Sequence, residues 1–206
     1  MSAPRRLRWT PAEYFDFEAH SLDKHEFLDG EIFAMAGARS SHNLVATNTL
    51  GFFVASLRGR PCKPFNSDQR IHISRTGLYT YPDGGVACGD WQLHPADDMS
   101  LLNPVLLFEV LSLATADYDR GAKLEHYQAI PSLQEVLLID QPERRIEHHR
   151  RDGDRWLAAT FTDGLIELAL GVNLPLAELY DPIEAPSRSN RTQCSGVDST
   201  RAPGPT

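Results

Sequence analysis

Two periods organise the apolar residues of this 206-residue chain. Residues 105–111 form an apolar run interrupted by one carboxylate, Glu109, the pattern of a strand buried on both faces. Pro104 is placed to open that strand, and Asp117 to cap a following helix that ends at Pro131. Residues 135–140 read as a second buried strand. Nearer the N-terminus, Thr10, Pro11 and Glu13 make a capping box that predicts a short helix over 11–19. Residues 26–35 read as two strands joined at Asp29-Gly30. Ala46, Leu50, Phe53, Val54 and Leu57 recur at helical spacing and predict a long helix over 42–57, ended by Gly59 and Pro61. Residues 63–73 and 77–88 are further strand candidates, and 89–102 a polar surface loop. Residues 145–150 and 156–161, separated by Asp152-Gly153, predict an outer antiparallel pair. From Pro182 onward large apolar residues nearly vanish, so the expectation is one domain over 1–181 and a disordered tail over 182–206. This order predicts an α/β protein, a central mixed β-sheet flanked by helices.

Composition narrows the class. With 41% hydrophobic and 23% charged residues, the chain has the balance of a soluble globular protein. No apolar run approaches the ~20 residues of a membrane span, and the first residues lack the apolar core of a secretion signal, so the expectation is a cytoplasmic protein without membrane contact. Cys62, Cys88 and Cys194 show no close pairing or zinc-ligand spacing, and their odd number fits a reducing compartment. The formal charge of −8 speaks against a broad nucleic-acid-binding surface but does not exclude a nuclease, since an acidic metal site is itself negative until its cation arrives and local basic patches can coexist with a negative total.

The candidate chemistry centres on acids. An ionised carboxylate inside an apolar strand must be paired, ligated or protonated, which singles out Glu109. Asp83, after Tyr81-Pro82 and before another short apolar segment, is a second acid for a neighbouring strand; its plainer reading is a turn residue after proline. Two carboxylates suffice for a hard cation such as Mg²⁺, which keeps several waters. Lys123 could support charge on a phosphoryl group, although residue physics alone reads it as a helix-surface lysine paired with Asp119. His42 at the start of the long helix and Glu31 after the hairpin turn are further lining candidates, each with an ordinary solvated alternative. The motifs of P-loop, nucleophile-elbow, zincin and Rossmann chemistry are missing.

Taken together, Glu26 to Glu31, Met35 to Ala38 with His42, Ser67-Asp68, Tyr81-Pro82-Asp83, Asn103-Pro104 through Ser112, and Asp117 to Lys123 with Tyr127 make the chain resemble the Uma-two family within the PD-(D/E)xK nuclease superfamily. The resemblance spans roughly residues 9–160. It implies a restriction-endonuclease-like core and hydrolysis of DNA phosphodiester bonds dependent on Mg²⁺ (or Mn²⁺), with Asp83 and Glu109 as metal ligands and Lys123 as the catalytic lysine. The superfamily lysine lies two residues after the second acid; here that position is Leu111, and Lys123 on the next helix matches instead. Gly84-Gly85 after Asp83 also depart from the expected β-branched residues and should loosen the strand. A homodimer suits a nuclease that cuts both strands of a duplex. The competing reading is a nuclease-fold protein that no longer cuts and serves as a binding or assembly module.

Overall fold

Thr10 accepts the Glu13 amide while the Glu13 carboxylate takes the Thr10 amide, the capping box expected at the entry of α1 (Pro11–His20). The computed structural model describes residues 8–35, 37 and 39–181. After α1 come the hairpin β1 (His25–Leu28) and β2 (Glu31–Ala34), then α2 (Ser40–Ser56), β3 (Cys62–Asn66), β4 (Arg70–Ile73), β5 (Leu78–Thr80) and β6 (Gly84–Cys88). Next are β7 (Leu93–His94), β8 (Asp97–Leu101) and β9 (Pro104–Leu111). A helical segment follows in three parts: α3 (Ala116–Tyr118), a wide π-type turn over Asp119–Lys123 that breaks at Gly121, and α4 (Leu124–Gln128). The chain closes with β10 (Glu135–Asp140), β11 (Ile146–Asp152), β12 (Arg155–Phe161), β13 (Leu165–Leu168), β14 (Val172–Pro175) and α5 (Leu176–Leu179).

The mixed α/β expectation holds, with a second six-stranded sheet and the two-stranded β13–β14 sheet added. One six-stranded sheet runs β12-β11-β10-β9-β6-β3, the other β2-β1-β5-β4-β8-β7. The buried strand β9 lies inside the first, parallel to β10 and antiparallel to β6. Alternation along β9 divides the core. Leu106, Phe108 and Val110 join Val45 and Phe53 of α2, Leu57 just after it, and the apolar side of the β13–β14 hairpin. Leu107 and Leu111 face the other way, into a cluster with Ile71, Leu78, Leu101, Leu124 and Tyr127. Glu109 shares their side of the strand and therefore points between the sheets toward the helical segment.

Several expectations need correction. The candidates at 63–73 and 77–88 are each two strands that part into different sheets, because Asn66–Asp68 and Pro82-Asp83 turn the chain: β3 and β6 pair in one sheet, β4 and β5 in the other. The polar stretch 89–102 contains β7 and β8, the latter parallel to β4 and anchored by Arg70, which pairs with Asp97 at 2.8 Å. Of the predicted helix face, Phe53 and Leu57 are buried and Ala46 and Leu50 pack against the core, but Val54 is exposed, and Val45 and Thr49 join the buried side instead. Asp117 lies inside the first turn of α3, while the Ser112 carbonyl accepts the Thr115 and Ala116 amides at its entry. Cys62 and Cys88 pair across β3 and β6 and are joined by a disulfide, against the expectation of unpaired thiols. The tail over 182–206 falls outside the described residues. Among the described residues no helix is long and apolar enough to cross a membrane.

Gly84 and Gly85 do not loosen β6. A Cβ on Gly84 would collide with the Phe108 ring, and one on Gly85 would lie 2.6 Å from the Leu106 carbonyl and 2.6 Å from the Phe65 ring. The glycines let β6 press between β3 and β9, which fixes the strand that begins one residue after Asp83.

The second sheet carries a pH-sensitive stack. His72 lies on Tyr79 with ring centroids 4.0 Å apart, and His94 meets it edge-on at 4.9 Å. The Nδ1 of His72 is buried without a hydrogen-bond partner. Burial, with His94 adding to it against the opposing pull of Asp97, lowers the His72 value from 6.5 to about 4. The unfolded chain takes up this proton first, so the stability associated with His72 is complete above pH 6.5 and is lost as pH falls toward 4. Melting temperatures across that interval should show this slope, and His72→Phe, which keeps the stack, should flatten it.

Candidate active site

Asp83 enters through the tight approach of β6 to β9. Val110 N–H donates to Asp83 Oδ2 at 2.7 Å, and the Asp83 amide donates to Glu109 Oε2 at 3.4 Å. Glu109 lies on β9 and Asp83 just before the adjoining β6; the Glu109 carboxylate takes the Asp83 amide, and the Asp83 carboxylate takes the amide of Val110, the residue after Glu109. From the start of α2, His42 Nε2 reaches Asp83 Oδ2 at 3.1 Å. Burial disfavours charge on the His42 ring, but the hydrogen bond and charge of Asp83, with Glu109 behind it, outweigh this and leave the ring raised above its ordinary value.

The helical segment supplies the cation. Lys123 is only 4% exposed. Its Nζ lies 2.9 Å from Glu109 Oε1, 3.4 Å from Glu26 Oε1 and 3.8 Å from Asp119 Oδ1. The pairing with Asp119 expected for a surface lysine is present, but deep between the sheets. Tyr127, one turn further on, donates its hydroxyl to Glu109 Oε1. Glu26 points inward from β1 and is held by hydroxyls: Thr80 donates to Oε1, and Tyr118 donates to Oε2 at 2.9 Å.

Charge is unevenly matched here. Burial pushes Glu109 up to about 8 against the attraction of Lys123, and Asp83 and Asp119 add to the rise. Asp119 is also raised, by burial. Burial opposes the charge on Lys123, yet Glu109, Glu26 and Asp119 together hold it protonated well above its usual range. Four acids therefore surround one ammonium and one imidazole.

Of the residues expected from the sequence, Asp83, Glu109, Lys123 and His42 come together. Glu31 pairs with Leu28 on the edge strand β2, on the same face of the hairpin as Glu26 but one strand further out. Sequence reasoning missed Glu26, Asp119 and Tyr127 as parts of the site. Two signals were available: Asp119, Lys123 and Tyr127 at successive helical turns, and Glu26 two residues before Leu28 on one face of a strand. Leu111, where the superfamily lysine would stand, is 2% exposed and packed in the core.

No group of three or more His, Cys, Asp or Glu side chains among the described residues is arranged to hold a metal. The donors that fit one are Asp83 and Glu109: two hard carboxylates, one just before β6 and one on the adjoining β9, in a cluster of four acids around one ammonium and one imidazole. Mg²⁺ and Mn²⁺ accept such a set because water completes their shell.

Comparison with known proteins bears on the family and the fold. The model of the family Uma2, described as "putative restriction endonuclease", matches residues 11–177. Two uncharacterised proteins of Synechocystis sp. are related: sll1609, 39% identical over 149 residues (72% of this chain, 84% of that protein), and slr1290, 34% identical over 177 residues (83% and 90%). Among solved structures, a protein of Anabaena variabilis described as a "putative nuclease belonging to DUF820" superposes with a TM-score of 0.67 at 17% identity, over 82% of this chain and 96% of its own. At that identity the likeness establishes the fold.

Proposed function

We propose that this chain, which belongs to the Uma2 family, is a divalent-cation-dependent endonuclease that hydrolyses DNA phosphodiester bonds, with Asp83, Glu109 and Lys123 as its catalytic set. The observation that carries the reading is the meeting of Asp83 and Glu109 at the β6–β9 junction with the buried ammonium of Lys123 2.9 Å from Glu109. Asp83 and Glu109 are the residues to hold Mg²⁺ or Mn²⁺. Such a cation, when bound, offsets phosphate charge and makes water a stronger acid. Water adds across a P–O bond: a new O–P bond forms, the bond to one ester oxygen breaks, and that oxygen leaves with a proton.

The chain's own groups orient and neutralise. Lys123, held protonated by its acidic neighbours, supports the negative charge that grows on the phosphoryl oxygens. Tyr127 fixes one oxygen of Glu109. His42 holds Asp83 from the rim, and Glu31 on the same face as Glu26 lies at the outer margin. A two-fold homodimer would present two such sites to a duplex with matching symmetry.

Calorimetric titration of Mn²⁺ and Mg²⁺, run beside a duplex-cleavage assay, tests this reading. The expected result is saturable binding and cation-dependent cleavage in the wild type, both lost in Asp83→Asn with the fold intact by circular dichroism. A wild type that binds no cation, alone or with DNA, and cuts no DNA would leave a nuclease fold serving as a binding or assembly module.

A further inference from the structure

Glu26 is an acid of the cluster outside the proposed catalytic set, yet it is bound as firmly as any of them. It is 7% exposed, sits on β1 in the sheet opposite Glu109, and takes hydroxyl hydrogen bonds from Thr80 on β5 and Tyr118 at the end of α3. These bonds span three elements and fix the carboxylate without neutralising it. Its Oε1 lies 3.4 Å from Lys123 Nζ, across from Glu109 Oε1 at 2.9 Å. The ammonium is therefore shared between two carboxylates from two sheets, with Asp119 3.8 Å away.

An ammonium facing one carboxylate closes on it as a tight pair, and a carboxylate so engaged is a poor ligand for anything else. A second fixed anion on the far side divides that attraction. We propose that Glu26 is a positioning residue that shares the ammonium of Lys123, which sits nearer Glu109, and so weakens its hold on Glu109 when a divalent cation competes for that carboxylate. This rests on the nuclease reading of the same site. Glu26 then touches neither substrate nor cation; it acts through Lys123, and Thr80 and Tyr118 act through Glu26.

A mechanism that runs through Lys123 disappears when Lys123 is removed, so a double-mutant cycle read by Mn²⁺ calorimetry tests it. Glu26→Gln keeps shape and hydrogen-bonding capacity. Its expected effect is a Mn²⁺ affinity about tenfold weaker than wild type, the size of coupling common between groups in contact. In a Lys123→Met background the same change should weaken Mn²⁺ by less than about threefold, the remainder being the direct field of Glu26 on the cation. Equal losses in both backgrounds would overturn the proposal, since Glu26 would then act without Lys123. No loss in the wild-type background would also overturn it.

Should Lys123→Met fail to fold, Tyr118→Phe in the wild-type background carries the test. It frees one oxygen of Glu26 without changing charge, at a residue 38% exposed. A severalfold loss of Mn²⁺ affinity at unchanged melting temperature supports the positioning role, and an unchanged affinity counts against it. Failure here is separable from failure of the nuclease reading: a wild type that binds Mn²⁺ and cuts DNA beside an indifferent Glu26→Gln rejects only the role of Glu26, whereas a wild type that does neither rejects both.

Discussion

Glu109→Gln is expected to abolish divalent-cation binding and slow DNA cleavage by about a thousandfold, the scale of a lost transition-state charge stabiliser, while leaving the protein at least as stable as wild type. The two halves of this expectation have different causes. Binding is lost because an amide oxygen replaces a carboxylate in a site with only two proposed ligands. Stability is kept because the wild-type carboxylate is buried, crowded by Asp83 and Asp119, and already pushed up to about 8. The substituted amide retains an oxygen for the Tyr127 hydroxyl, and Lys123 retains Glu26 and Asp119. Calorimetry, a plasmid-nicking assay and thermal melts on one preparation separate these effects. A variant that still binds Mn²⁺ like wild type would remove Glu109 from the metal site, and one that melts far lower would make the carboxylate a structural anchor.

Lys123→Met should behave in the opposite way, losing stability first. It keeps the bulk of the side chain but leaves Glu26, Glu109 and Asp119 converging without a cation. Breaking a buried ionic group by removing one partner costs about 3–5 kcal/mol, a large part of the total for a domain of this size. The deficit should depend on pH with a definite sign. With the ammonium gone, the facing carboxylates hold protons more tightly in the folded state than in the unfolded chain. A carboxyl raised by folding contributes stability that is full below its unfolded value and is lost as pH rises through its folded value. Lys123→Met should therefore be nearest to wild type in mild acid and fall further behind as pH rises. Urea unfolding at several pH values measures this. A deficit independent of pH would mean that the lysine stem, not its charge, holds the cluster.

Much of this layout was legible in local patterns. The capping box of α1, the Asp29-Gly30 turn with φ of 51° and 79° at its two residues, and the apolar runs of β9 and β10 depend on near neighbours in the chain. The acid inside β9 declared itself because an unpartnered carboxylate there is too costly to be accidental. What escaped depends on partners distant in sequence. Strands at 63–73 and 77–88 look continuous until the turns divide them between sheets. The hairpin of β13 and β14 lies where no element is predicted, between Phe161 and Pro182. Its apolar residues are two short alternating sets, and they gain meaning only against β9, β10 and α2.

Lys123 shows the limit most clearly. The superfamily spacing asks for a lysine at 111, on the same strand face as Glu109, and that face at 111 is instead filled by core. The ammonium arrives from a helix whose turn widens between Asp119 and Lys123. Helical spacing alone would read both as partners on a solvated face. Only the second sheet, closing over that face, converts a surface lysine into a buried one.

The bond between Cys62 and Cys88 makes a closed ring of the chain between them, with a sequence separation of 26. That ring begins at the edge strand of one sheet, passes through β4 and β5 of the other, and returns past Asp83 into β6. Both sheets are thus threaded on one covalent loop, which contains Asp83 but neither Glu109 nor Lys123. Even in a largely unfolded chain, the strand that follows Asp83 stays tethered to its edge neighbour, so the search for the native pairing begins with one half of the acid pair restrained.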